Sequence, residues 1–302
     1  MNDQIVAQNI ANVYTTATND AELSTQVLMG ETVQCIENTG VFTKIITHDR
    51  YQGWIRTDQI TDTWDTSENL RTSIASLFAD VVTDPDNSAE IVTKLTCGTT
   101  VNLARRPEVG NFIPIVLPNR QVAYIHKISL NITHSAEMSV ETVTGIASSG
   151  TDNLQSLKRR VIEHIGAQAI MIAHWFVGTP YLWGGTTPFG IDCSGLVQLS
   201  YRLSGLQLLR DANLQFADRR FTNLVETSLE AGSFMAGDLV AFSKAPDGVV
   251  THIGMATGDG RFIHSLGGFG VRLDDCAEAH YNDIFVGAIR LSTDADLAIE
   301  CS

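Results

Sequence analysis

The segment Asp192-Cys193-Ser194-Gly195 follows a Gly- and Pro-containing loop that begins at Pro180-Tyr-Leu-Trp-Gly-Gly. After it, Leu196, Val197, Leu199, Ser200 and Leu203 have helical spacing and stop at Gly205, which predicts a helix with Cys193 in its first turn. Unpaired backbone N–H groups and the positive end of the helix dipole stabilise a thiolate there. The expectation is a lowered thiol pKa and a sulfur nucleophile near neutral pH. The same N–H groups can hold an oxyanion.

Such a nucleophile needs a base, and Thr251-His252-Ile-Gly-Met-Ala-Thr-Gly258-Asp259-Gly260-Arg-Phe-Ile-His264 offers two histidines on what reads as a hairpin. An even loop, Thr257 to Gly260, would pair His252 with Ser265 and put His264 on the opposite face. A three-residue loop, Gly258 to Gly260 with Gly260 left-handed, pairs Gly254 with His264 and puts both histidines on one face. The glycine at the third loop position favours the second register. His252 then accepts the thiol proton and returns it to the leaving amine, and His264 orients the first imidazole. His48, His126, His134, His164, His174 and His280 read as ordinary surface or core residues. Zinc is the competing use of one Cys and two His, but the three would come from separate elements with no fourth Cys or His nearby in sequence.

The elements that must position these groups are of two kinds. Apolar residues at Leu157, Val161, Ile165, Ala169, Ile172 and Phe176 predict an amphipathic helix over Leu154 to Val177, ended by Gly178-Thr179-Pro180. Residues 136–153, rich in Ser, Thr, Gly and Glu without clear period, read as a linker. Before it lies an internal repeat: residues 11–36 align without gaps onto 79–104, and with a shift of two residues Phe42, Ile45, Arg50 and Trp54-Ile55 meet Phe112, Ile115, Arg120 and Tyr124-Ile125. Each copy is a series of short β-branched runs punctuated by Gly, Asn and Asp, the pattern of a small antiparallel barrel.

A hydrophobic fraction of 44% and a charged fraction of 18%, with mean hydropathy of +0.04, place the chain among globular proteins. No apolar run approaches the roughly 20 residues of a membrane span. The net charge of −14 would repel nucleic acid and anionic membrane surfaces. Five cysteines, Cys35, Cys97, Cys193, Cys276 and Cys301, are odd in number and include no CxxC pair, which argues against a disulfide framework. Cys35, Cys97 and Cys276 read as small buried residues.

Residues 1–135 resemble a pair of bacterial SH3 domains, with boundaries at 1–66 and 67–135: the first strand, the Gly-(Glu/Thr)-x-Val stretch and a terminal Gly-Trp-Ile are visible. Residues 157 to 292 resemble the NlpC/P60 catalytic domain, placed within 154–302. Its features occur in order as Gly178-Thr-Pro-Tyr-x-Trp-Gly-Gly185, Asp192-Cys-Ser-Gly195, Arg210-Asp211 with Gln215, Gly237-Asp-Leu-Val-Ala-Phe242, and His252-Ile-Gly followed by His264. The resemblance implies a papain-like α+β fold, a Cys193–His252–His264 triad, Tyr181 as an aid to the oxyanion, and no cofactor or metal. It also implies a peptidoglycan stem peptide as substrate, cut between γ-D-glutamate and a diamino acid through a thioester. Relatives with SH3 domains ahead of the catalytic one often need a free N-terminal L-Ala. By that likeness Asp192, Ser194 and a tyrosine of the first SH3 domain would close that end of the cleft, so that SH3 domain 1 contacts the cleft within the chain.

Tyr51 is the candidate tyrosine. Its repeat equivalent is Gln121, whereas Phe42 and Ile45 keep apolar partners, so Tyr51 is not held by barrel packing alone. Arg210 and Asp211 are further candidates for substrate binding, although Ala212-Asn213 follows where many members have Ser or Thr. Two other functions fit the same motifs: a peptide-binding module with an accessory catalytic domain, and an amidase or acyltransferase built on the same triad. Alkylation of Cys193 separates the first, product analysis the second. The start, Met1-Asn-Asp-Gln-Ile-Val, lacks the features of a secretory signal, so a cytoplasmic recycling role is expected, with secretion after signal removal as the alternative.

Overall fold

Short β-branched runs broken by turn residues become two antiparallel sheets in the first of two units, Met1–Ala136 and Glu137–Ser302. The computed structural model describes residues 2–63, 70–130, 154–224, 228–230 and 233–292. The linker read over 136–153, His134, Cys301 and the side chain of Leu157 lie outside the described residues.

The first sheet holds β1 (Asn2–Val6), β2 (Ile10–Tyr14), β3 (Leu23–Leu28), β4 (Thr32–Asn38), β5 (Phe42–Ile46), β6 (Gln52–Arg56) and β7 (Ile60–Asp62), in the order β3-β2-β6-β5-β4-β1-β7. The second holds β8 (Arg71–Ser73), β9 (Phe78–Val82), β10 (Ile91–Thr96), β11 (Thr100–Leu103), β12 (Phe112–Val116) and β13 (Val122–His126), in the order β10-β9-β13-β12-β11-β8. Apart from the edge strand β7 the two orders are the same. The cores repeat as well: Val13, Val27, Val33, Ile45 and Ile55 are buried in one, Val81, Leu95, Val101, Ile115 and Ile125 in the other. Even an unusual turn is kept. Arg50 and Arg120, equivalent in the repeat, are the non-glycine residues with positive φ among the described residues, at 64° and 67°.

The second unit is built on an antiparallel sheet of β16 (Phe221–Asn223), β17 (Leu239–Phe242), β18 (His252–Ala256), β19 (Arg261–Leu266), β20 (Gly270–Asp275) and β21 (Phe285–Leu291), ordered β16-β21-β17-β18-β19-β20. A short ribbon, β14 (Thr186–Thr187) with β15 (Gly190–Ile191), stands apart from it. Helix α1 (Leu154–Trp175) buries Ile162, Ile165, Ala169 and Ile172, spaced by three or four as an amphipathic face requires, and Phe176 is buried just past its end. Helix α2 (Cys193–Leu203) packs between α1 and strands β18 and β19. Its residues 193 to 201 are all buried, so it is a core helix. Two short helices, α3 (Ala212–Phe216) and α4 (Ala279–Asn282), complete the unit. A few helices beside antiparallel sheets make the chain α+β. Among the described residues no helix is long and apolar enough to cross a membrane.

Candidate active site

Cys193 is the first residue of α2, and Asp192 is its N-cap. The Asp192 carboxylate accepts the Gly195 N–H at 2.6 Å and the Gly184 N–H at 2.9 Å, which ties the start of the helix to the preceding loop. The backbone N–H groups of Ile253 and Ser194 donate to the Cys193 sulfur. Ile253 is the neighbour of His252 on β18, so the sulfur lies against the strand that carries the first histidine. Ser265 Oγ–H donates to the Ile191 carbonyl at 2.7 Å. This bond joins the residue after His264 to the loop that delivers Cys193.

The β18–β19 hairpin takes the three-residue loop. Met255 pairs with Ile263 and Ala256 with Phe262, and the Thr257 N–H reaches the Arg261 carbonyl at 2.9 Å. Gly260 has φ of 88°, a conformation that costs a residue with a Cβ but not glycine. His252 and His264 therefore share a face, with His252 Nε2 2.7 Å from His264 Nδ1. Gly254 makes room for the second ring: a Cβ there would stand 3.1 Å from the His264 Cβ and 3.0 Å from the Ile263 carbonyl oxygen. Gly254→Val is accordingly expected to lower kcat by at least about tenfold through displacement of His264, the scale of a modest misplacement in an active site. Activity within a factor of two of the parent would refute this.

The chain of contacts does not end at His264. His264 Nε2 is 3.0 Å from Asp274 Oδ2, Arg272 Nε donates to Asp274 Oδ1 at 2.5 Å, and the Tyr281 hydroxyl donates to Asp274 Oδ2. His264 is fully buried and Asp274 and Tyr281 nearly so. None of these three partners stood out in the sequence. The available signal was the alternation of β20, which places Arg272 opposite His264 and Asp274 opposite Phe262.

The thiol is not in the state expected from its helix position. Burial and the Asp192 carboxylate push the Cys193 thiol up to about 11, outweighing the two N–H donors and the Arg210 charge. Burial, then the neighbouring His264 and Lys244, push His252 down to about 3. At neutral pH the resting pair is thus thiol and neutral imidazole, so proton removal accompanies attack. The rate of Cys193 alkylation by iodoacetamide is expected to climb through pH 7 to 10. A rate already level above pH 5 would show a preformed thiolate instead.

Tyr181 is half-buried and bridges to Ile191, just before the nucleophile. Burial and the nearby Cys193 and Asp192 push its phenol upward, so it keeps its O–H for donation. Asp192 and Ser194, expected at the substrate amine, also form part of the support under the start of α2. Arg210, only 2% exposed, donates to Asp192 Oδ1 and Oδ2 at 3.0 and 2.6 Å and to Ser194 Oγ at 2.8 Å. With the two backbone N–H groups the carboxylate's lone pairs are taken up. Gln215 Nε2–H donates to the Ser194 and Leu209 carbonyls, closing the network under α2. Asp211 is half-buried at the N-terminus of α3, within electrostatic range of Arg210. Tyr51 belongs to the other unit, where it is half-buried after the Thr47–Arg50 turn, its N–H donating to Thr47 Oγ1.

The two histidine nitrogens are too close together to share zinc, whose tetrahedral ligands stand about 3.3 Å apart at ordinary Zn–N lengths. Among the described residues no group of three or more His, Cys, Asp or Glu is arranged to hold a metal. Cys97 and Cys276 are buried, whereas Cys35 is half-buried and donates to Gln4 Oε1 at 3.3 Å.

Residues 178–290 match the model of the NlpC/P60 family, and residues 13–60, within the first repeat copy, match that of the bacterial dipeptidyl-peptidase Sh3 domain. The chain is 25% identical over 257 residues to the gamma-D-glutamyl-L-lysine dipeptidyl-peptidase of Bacillus cereus (strain ATCC 10987 / NRS 248), covering 82% of this chain and 68% of that protein. It is 27% identical over 294 residues to dipeptidyl-peptidase 6 of Lysinibacillus sphaericus, covering 91% and 92%. A crystal structure of an NlpC/P60 family protein from Bacillus cereus ATCC 10987 superposes with a TM-score of 0.74 and 21% identity, over 96% of this chain and 99% of that one. The fold of the whole chain is thus that of an NlpC/P60 protein with an all-β SH3-like region ahead of it.

Proposed function

We propose that this chain, an NlpC/P60 family peptidase by its residues 178–290, is a cysteine endopeptidase that cuts the γ-D-glutamyl–diamino acid bond of peptidoglycan stem peptides carrying a free N-terminal L-Ala. One observation carries the chemistry: a thiol at a helix start takes an N–H from the residue beside His252, and His252 is hydrogen-bonded to His264. His252 removes the Cys193 proton as the sulfur attacks the amide carbonyl, and returns it to the amine of the diamino acid as that leaves. Water, activated by the same imidazole, then hydrolyses the thioester. A backbone N–H at the start of α2 and the Tyr181 hydroxyl are assigned to the oxyanion. A relative's name supports the bond assigned here, since it is a gamma-D-glutamyl-L-lysine dipeptidyl-peptidase.

For the free amine the proposal rests on Tyr51. The second sheet, read as a second SH3 domain, has Gln121 at the equivalent turn. Domain 1 is thereby assigned to the cleft. Asp192, Ser194, Arg210 and Asp211 are assigned to the peptide end of the cleft, the first three also holding the nucleophile's helix. Such a preference suits peptides already released from the wall, hence a recycling role in the cytoplasm.

The test is hydrolysis of L-Ala-γ-D-Glu-diaminopimelate beside its N-acetylated form, with products read by mass spectrometry. Cleavage after D-Glu, lowered at least about tenfold by acetylation, is expected, on the scale of a lost charge-assisted contact. Equal rates on the two would remove the free-amine requirement, and cleavage elsewhere would remove the bond assignment. Tyr51→Phe is expected to lower kcat/KM for the free peptide about fivefold, the size of one hydrogen bond. An unchanged kcat/KM would sink the part given to domain 1.

A further inference from the structure

We infer that Asp274 acts through His264 to decide which nitrogen of His252 carries a proton, which makes Asp274 a positioning residue of the active site. The inference rests on reading Cys193 and His252 as nucleophile and base.

An ionised carboxylate only accepts hydrogen bonds, and a neutral imidazole has one N–H and one bare nitrogen. Arg272 and the Tyr281 hydroxyl both donate to Asp274, which favours its ionised form. Facing that carboxylate at 3.0 Å, His264 Nε2 must carry the hydrogen. Its Nδ1 is then bare and can only accept, so in the 2.7 Å contact the donor is His252 Nε2–H. That leaves Nδ1 as the bare nitrogen of His252 and the only one able to take the thiol proton. The opposite tautomer of His264 would set a lone pair against a carboxylate. Nor is the ring free to turn, because Phe262 lies 4.7 Å and Tyr281 5.7 Å from it, centroid to centroid. The order of protons thus runs from Asp274 inward. The same arrangement supports charge: when His252 becomes cationic it faces a neutral ring whose basicity is raised by the carboxylate behind it.

An amide at position 274 makes the inference testable. Arg272 offers only donors, so Asn would turn its oxygen to Arg272 and its NH2 to His264. His264 Nε2 would have to accept, its hydrogen would move to Nδ1, and His252 would lose its base nitrogen. A wrong tautomer caused by an amide next to a catalytic imidazole costs about 10⁴-fold in a carboxylate–histidine pair. One ring further away, about 100-fold or more in kcat is expected, with KM within about threefold.

The experiment is ¹⁵N NMR of the imidazoles in the full chain, with His264 identified by its loss in His264→Gln, alongside kinetics on the stem peptide. The expected result is Nε2–H at His264 in the parent, Nδ1–H with the kcat loss in Asp274→Asn, and Nε2–H with activity within about tenfold in Tyr281→Phe, where the carboxylate remains. An Nδ1–H His264 in the parent overturns the inference without any variant. So does Asp274→Asn with an unchanged tautomer, whether active or dead, since a loss would then be structural. Failure of the underlying reading looks different: Cys193→Ala would keep its activity whatever the tautomer.

Discussion

Cys193→Ala is expected to lower kcat/KM by at least about 10⁴-fold while leaving the fold intact, as removal of a covalent nucleophile does in triad hydrolases. The side chain is small and buried, and the cap that starts α2 belongs to Asp192, so alanine fits the same first turn. Thermal unfolding should move by less than about 1 kcal/mol. His252→Ala should cost a similar factor, and the double variant should be no worse than either single one, because the thiol and its base act as a unit. Activity surviving in Cys193→Ala would take the nucleophile away from this residue. Additive losses in the double variant would take the base away from His252.

The second large effect is on stability. Arg210 is almost wholly buried and matches the Asp192 carboxylate with two bonds. Arg210→Ala would leave that carboxylate buried with only backbone and hydroxyl donors. Breaking a buried pair from one side costs about 3–5 kcal/mol, or on the order of 10 °C in Tm for a domain of this size. Arg210→Lys should recover only part, since a single ammonium cannot reproduce the fork. Asp192→Asn combined with Arg210→Met should be more stable than Arg210→Ala, because no unpaired charge remains. Unfolding midpoints decide this. Arg210→Ala within about 1 kcal/mol of the parent would mean that the pair is not what holds the start of α2.

These two sites also mark what was readable in the amino-acid order. A cysteine opening a helix, a glycine-marked hairpin loop and a repeated β pattern are local, so spacing alone places Cys193, pairs the histidines and divides the chain. Burial is not local. Asp192 and Ser194 read as substrate contacts by resemblance, and Arg210 from its Arg-Asp motif. In the fold they are buried and hydrogen-bonded to one another beneath the start of α2, a network that spacing does not reveal. For the same reason helix position suggested an acidic thiol, whereas desolvation and Asp192 govern it. Asp274 was hidden differently: only the pairing of β20 with β19 brings its carboxylate to His264.

The bond from Ser265 to the Ile191 carbonyl has a mechanical side. Errors in the distance between two parts accumulate along whatever links them, and through the chain Cys193 and His264 are joined by a long stretch that includes the exposed loop around Lys244 to Val249. The Ser265 bond, with the Ile253 N–H on the sulfur, replaces that route by a short cross-brace inside the core. Breathing of the outer loops is then kept out of the gap between sulfur and imidazole. Slow amide exchange at Ile253, set against fast exchange at Asp247 and Gly248 and quickened in Ser265→Ala, would be its signature.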